Sequence, residues 1–226
     1  MIVLTLIAPP GGGKGTQAKK ISAAYDLPIL EFSKRLDADK HTDKRLGDAF
    51  DEAKRQGTLL GDDVVIEKLQ QWLQEPQYSK GVIIDGFPRT VNQAEALDRM
   101  LAEMNESVSM AIDFHFDKSD EELLFDRQRG RKQQMIDAGE KPREDDGNEE
   151  TMRRRMSIYW KDTAPVSDYY RDNHEDVLLQ IDGTDTIENN FAQISDGLGD
   201  RGILPRHNIE RQLDNKCCGQ CKPGQS

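Results

Sequence analysis

The sequence predicts an α/β fold, a parallel sheet of five strands with helices on both faces. Three observations carry that prediction. Short apolar runs alternate with segments of helical periodicity, the pattern of repeated βαβ units. The first run, Ile2 to Ile7, is nearly all apolar, as a central strand covered on both faces must be. That run ends in Pro9-Pro10-Gly11-Gly12-Gly13 and is followed by a helical stripe.

The elements follow in order. After the first strand, Ala18, Ile21 and Tyr25 mark one helix face. Leu27 to Phe32 is the second strand, Gly81 to Ile84 the third, ending at Asp85, Val108 to Phe116 the fourth, and Val177 to Ile181 the fifth. Leu46, Ala49, Phe50 and Ala53 give a helix, as do Val65, Leu69 and Trp72 with Asp62 as a cap. Ser119-x-x-Glu122 has the capping-box form and opens a helix with Leu123, Leu124 and Arg127. Met152, Met156, Tyr159 and Trp160 mark another, and Ile187, Phe191 and Ile194 the last. Gln133 to Asn148 is polar, with Gly139, Pro142 and Gly147, and reads as a loop between two helices. The polar stretch from Arg201 onward reads as an appended tail.

Composition narrows the function. A chain of 226 residues can bury one core and carry small insertions. A formal net charge of −11 argues against non-specific binding to nucleic acid. It is compatible with an anionic small substrate, because a few arginines in a cleft set the local potential. No apolar run approaches the ~20 residues of a membrane span. The start has no basic region before its apolar run, so it is not read as a signal peptide. Cys217, Cys218 and Cys221 cluster near the end, leaving no disulfide framework for the body. Cytoplasmic residence is the expectation. The four histidines, His41, His115, His174 and His207, show no ligand spacing, and no metal site of protein ligands is expected.

Three motifs carry chemistry. In Ala8-Pro-Pro-Gly11-Gly12-Gly13-Lys14-Gly15-Thr16-Gln17, glycines let successive N–H groups curl toward one point, and the helix N-terminus adds its dipole. Lys14 adds a mobile cation for the β- and γ-phosphates. The general phosphate-loop pattern has glycine where Ala8 stands and a hydroxyl where Gly15 stands; Thr16 follows one place later. In Asp85-Gly86-Phe87-Pro88-Arg89-Thr90-x-x-Gln93, the end of the third strand brings Asp85 and Arg89 to the same rim. The third motif is a set of arginines: Arg127 and Arg131 at i,i+4, Arg143 in the polar loop, and Arg155 on the next helix. Converging guanidinium groups are what phosphoryl transfer needs, since it is catalysed by positioning and charge stabilisation.

Together these motifs resemble the adenylate kinases and related nucleoside monophosphate kinases. The resemblance extends through Arg143-x-Asp145-Asp146, Thr163-Ala-Pro165 with Tyr169-Tyr170, and Asp182-Gly183-Thr184, and covers about residues 1–198. It implies a fold like that of the phosphate-loop NTPases, with an NMP-binding insert at about 31–60, a short zinc-free lid at about 132–146, and a tail at 199–226. It implies ATP and Mg²⁺, a monomer, and a nucleoside monophosphate acceptor, AMP by default. Gly11 to Thr16 would hold the ATP phosphates, Arg131 and Gly183 would contact ATP, and Arg127 would flank its phosphates. Gly86, Arg89 and Gln93 would hold the monophosphate, Arg143 and Arg155 would join on lid closure, and Asp85 would orient the waters of Mg²⁺.

The acceptor half departs from the family pattern. Where the family has threonine near the base this chain has Phe32, and where it has a phosphate-clamping arginine this chain has Asp37. Lys34 and Arg35 are expected to replace that arginine, with Phe32, Thr58 and Leu60 shaping the acceptor pocket. Two rivals stay open at this stage. One is a kinase for a pyrimidine or modified nucleotide, the other a nucleotide-binding regulator without transfer activity.

Overall fold

A computed structural model describes residues 1–40, 44–56, 61–139, 148–174 and 176–206. Among them are five strands, β1 (Ile2–Ile7), β2 (Ile29–Glu31), β3 (Gly81–Asp85), β4 (Met110–His115) and β5 (Leu178–Asp182). They form one parallel sheet in the order β2-β3-β1-β4-β5. The helices are α1 (Lys14–Tyr25), α2 (Phe32–Asp39), α3 (Lys44–Gln56), α4 (Asp62–Leu73), α5 (Val91–Glu103), α6 (Glu121–Asp137), α7 (Glu149–Ile158), α8 (Pro165–Asn173) and α9 (Ile187–Asp200).

Strand periodicity divides the core in two. Val3, Val82, Ile84 and Ala111 face one layer with α2, α3, α4, α5 and α8. Leu4, Leu6, Ile83, Met110, Ile112 and Phe114 face the other, with α1, α6, α7 and α9. Side chains alternate across the sheet plane, so a run apolar at every position serves both layers.

The five expected strands are all present, with shifted ends. The second strand is shorter than expected because Phe32 already begins α2. The capping box before α6 is formed by Asp117 and Asp120, not by Ser119 and Glu122; a 3₁₀ turn over Lys118–Asp120 precedes the helix. Gly61 takes the N-cap position of α4, and Asp62 is its first helical residue. The polar stretch after Lys132 remains helical through Asp137, since polarity does not oppose a helix when no glycine or proline intervenes. Gly139, at φ 71°, follows the end. Part of the expected tail belongs to the domain. Helix α9 runs to Asp200, the Arg201 guanidinium donates to the Asp176 carbonyl at 3.0 Å, and Ile203 packs on the second core layer. Residues 207–226 lie outside the described part. Among the described residues no helix is long and apolar enough to cross a membrane, and none group as metal ligands.

Helices α5 and α8 pack together through a small polar cluster. Asp98 accepts from Tyr169 Oη at 2.8 Å and lies 3.1 Å from His174 Nε2. Burial holds the Asp98 carboxyl above its ordinary value, and the bonds from Tyr169 and His174 only partly offset that. A raised carboxyl favours the folded state while protonated, and this contribution is lost as pH rises through the folded value. Asp98→Asn keeps an acceptor and never ionises. It should be at least as stable as the parent at neutral pH, with the difference shrinking as pH falls below the carboxylate range. Denaturant midpoints across pH read this; a clear loss at neutral pH would show that the charge pairs with His174 more strongly than burial opposes it.

Candidate active site

All five strands are parallel, so their carboxyl ends share one rim, where open α/β sheets bind ligands. The phosphate loop leaves β1 there. Gly11 adopts φ 87°, and a side chain on it would come within 2.6 Å of the Leu124 carbonyl of α6. Only glycine allows so close an approach at that angle. Gly12 N–H donates to Pro9 O at 3.0 Å, closing the turn. Gly13 is the N-cap of α1 and provides no capping side chain, so the helix start offers main-chain N–H groups to a ligand. The Lys14 ammonium donates to the Ala8 carbonyl, with the Pro9 carbonyl at 3.5 Å. Gly15 and Thr16 are exposed in the first turn of α1.

Beside this loop, Gly183 follows β5. A side chain on Gly183 would clash with the Phe116 ring at 2.1 Å. The Arg127 guanidinium lies over that ring, 5.6 Å from its centroid, and donates to the Gly183 and Thr184 carbonyls at 2.9 and 3.2 Å. The structure therefore brings Arg127 and Gly183 together on the edge of the phosphate-loop side. Arg131 lies one turn further along α6, and Arg155 on α7; both are half-buried. Arg143 lies outside the described residues.

The other half of the cleft is built on the loop after β3. Asp85 pairs in register with Leu6 on one side and Glu31 on the other. The loop's backbone groups are closed by side chains from three elements. Thr5 Oγ1, fully buried in β1, donates to Phe87 O at 2.8 Å. Thr163 Oγ1 donates to Arg89 O at 2.9 Å from a π-helical turn, Tyr159–Thr163. Arg89 N–H donates to Gln93 Oε1 at 2.7 Å. The Arg89 guanidinium is steered by Gly86 O at 2.8 Å and Ser33 Oγ at 3.2 Å. Gln93, expected to touch the nucleotide, has both ends of its carboxamide on protein in this conformation, since its Nε2 donates to Asp62 Oδ1 at 2.7 Å.

Helix α2 distributes its side chains unlike the sequence expectation. Phe32 is turned into the core, stacked on Phe87 at 5.3 Å and edge-on to Trp72 at 5.1 Å. Arg35 lies on the helix face opposite Ser33, bonded to both Glu75 oxygens and 3.4 Å from Asp39, with Trp72 beneath it at 5.6 Å. Lys34 pairs with Glu31 at 2.6 Å. Arg35 is thus a helix-packing residue here and does not join Arg89. Asp37 shares the Ser33 face one turn later and is paired with Lys40 at 2.9 Å; Lys40 also reaches Asp51 of α3 at 3.1 Å. Thr58 and Leu60 lie outside the described residues. Sequence reasoning missed Thr5, Ser33 and the supporting role of Thr163. A hydroxyl inside an otherwise apolar strand was the available signal for Thr5.

A glycine-rich loop and an arginine-bearing loop thus stand on one rim, and comparisons with known proteins give the family. The sequence profile of the adenylate kinase family matches residues 6–175. An adenylate kinase of Archaeoglobus fulgidus is 36% identical over 208 residues, 84% of this chain and 95% of that protein. One from Alkaliphilus oremlandii is 36% identical over 87% of this chain and 98% of its own length, and one from Sinorhizobium medicae 37% identical over 84% and 96%. The chain belongs to the adenylate kinase family, a family of phosphotransferases.

Thr5 gives a test of the loop's support. Thr5→Val keeps the shape but leaves a buried carbonyl unpaired, which costs about 1–3 kcal/mol. The melting temperature should fall, and KM for the acceptor should rise severalfold while KM for ATP stays within about twofold, because Arg89 depends on this loop. Thr5→Ser should restore both. Equal rises in both KM values would show that the hydroxyl only stabilises the fold.

Proposed function

We propose that the chain transfers the γ-phosphoryl group of MgATP to AMP, giving two molecules of ADP. The observation that carries this reading is the pairing of two half-sites on one rim, the Gly11–Thr16 loop with Lys14 and the Gly86–Arg89 loop, in a chain of this family. In this reading the amides from Gly11 to Thr16 hold the ATP phosphates, and Lys14 leaves the Ala8 carbonyl to follow the migrating group. Arg127 and Gly183 bound the ATP end, with Arg131 beside them. Arg89 holds the monophosphate, and Arg143 and Arg155 add charge at the transferring group. The acceptor oxygen attacks the γ-phosphorus in line, the bond to the ADP oxygen breaks, and the cations balance charge on the equatorial oxygens.

Mg²⁺ fits this donor set. It binds through one or two carboxylates and the substrate phosphates and keeps most of its waters, and the Asp85 carboxylate stands at the rim to orient them. Bound there, the ion would supply positive charge against the nucleotide phosphates. We also propose that the protein works as a cytoplasmic monomer. The burial of Phe32 favours a second reading of the acceptor. With no side-chain hydroxyl at that position, base selection leans on shape, which suits a pyrimidine or modified base as well as adenine.

A coupled assay across the common nucleoside monophosphates separates these readings, with AMP expected as the best acceptor. Turnover with none of them would leave a nucleotide-binding regulator. Lys14→Ala should lower kcat by about 10²–10³, the usual loss for one preorganised charge partner, with the fold retained. Turnover within about tenfold of the parent would remove Lys14 from the chemistry.

A further inference from the structure

We infer that Ser33 is a ligand of the acceptor's 5′-phosphate, taking the place on α2 that no cation of that helix fills. The inference rests on the reading of Arg89 as the monophosphate ligand. Ser33 Oγ accepts from Arg89 Nη2 at 3.2 Å, while the side chain remains exposed to the cleft. A hydroxyl that accepts from a guanidinium keeps its own hydrogen for donation. An oxyanion beside the same guanidinium is the natural acceptor for it, and hydrogen bonds to charged partners are the stronger kind.

The rest of α2 leaves Ser33 in that role. Phe32 and Leu36 are buried in the core. Arg35 is on the far face with Glu75 and Asp39, and Lys34 is drawn to Glu31. Asp37 follows Ser33 on the same face, and its charge is met by Lys40, which links it to Asp51. So a phosphate beside Arg89 finds on α2 a small neutral donor first and an already paired carboxylate one turn on. A hydroxyl in place of a cation also changes the salt dependence of binding. A hydroxyl donates without adding charge, so binding of the monophosphate should fall less steeply with salt than a two-cation clamp would allow.

The test uses the full chain and AMP, or the acceptor that the assay selects. Ser33→Ala should raise KM for the acceptor on the order of tenfold, with KM for ATP within about twofold. Calorimetric titration of AMP alone should show the same weakening in Kd. Ser33→Thr, which keeps the hydroxyl, should recover most of the affinity, and all three proteins should melt alike. Unchanged acceptor KM and Kd in Ser33→Ala, in a parent that turns over, would overturn the inference and leave the functional reading intact. Absence of turnover in the parent would overturn the functional reading, and the AMP Kd of the two proteins would still decide the role of Ser33.

Discussion

The parallel direction of the five strands is the constraint on which the rest depends. It places the ends of β1, β3 and β5 on one rim, so three unrelated loops meet without any long excursion of the chain. It also requires helices on both faces, because parallel strands need crossovers that cover them. Loops at such a rim leave the sheet ladder abruptly, and their backbone groups still need partners. The chain supplies them from Thr5, Thr163 and Gln93 for the Arg89 loop, and from the start of α1 for the phosphate loop. The start of α1, which no side chain caps, makes the same rim a place for phosphate.

The two halves of the cleft are held by different means. The phosphate-loop half relies on main-chain geometry, with Gly11 against Leu124 and Gly183 against Phe116, where a single added carbon would not fit. The half around the loop after β3 relies more on side-chain hydrogen bonds and ion pairs. The motifs that carry the family resemblance lie in the glycine-rich loop and the loop after β3, and α2 departs from that pattern.

Legibility follows the same line. β1, β3 and β4 are readable because their apolar runs are almost wholly buried, while β2 and β5, less buried, are readable from the strand–helix alternation around them. Helix α5 hides behind the motif that precedes it, although Thr90 and the spacing of Ala94, Leu97 and Leu101 announce it. The end of helix α6 is hard to see because its polar composition resembles that of a loop. At the site, motifs locate Lys14, Arg127 and Arg89, whose types and spacing carry their chemistry. The fate of Arg35 is invisible in the sequence, because Glu75 lies far along the chain and meets it only through packing. Burial of Phe32 likewise depends on Phe87 and Trp72, two distant rings that no local pattern connects.

Where α2 meets α3, a carbon added to Gly47 would come within 2.7 Å of the Lys40 carbonyl, and the Lys40 ammonium spans Asp37 and Asp51. Backbone contact and ion pairs thus couple the packing of the two helices at their junction. A larger side chain at position 47 would have to displace the Lys40 backbone, and with it the pairs to Asp37 and Asp51, so the glycine and the lysine constrain each other.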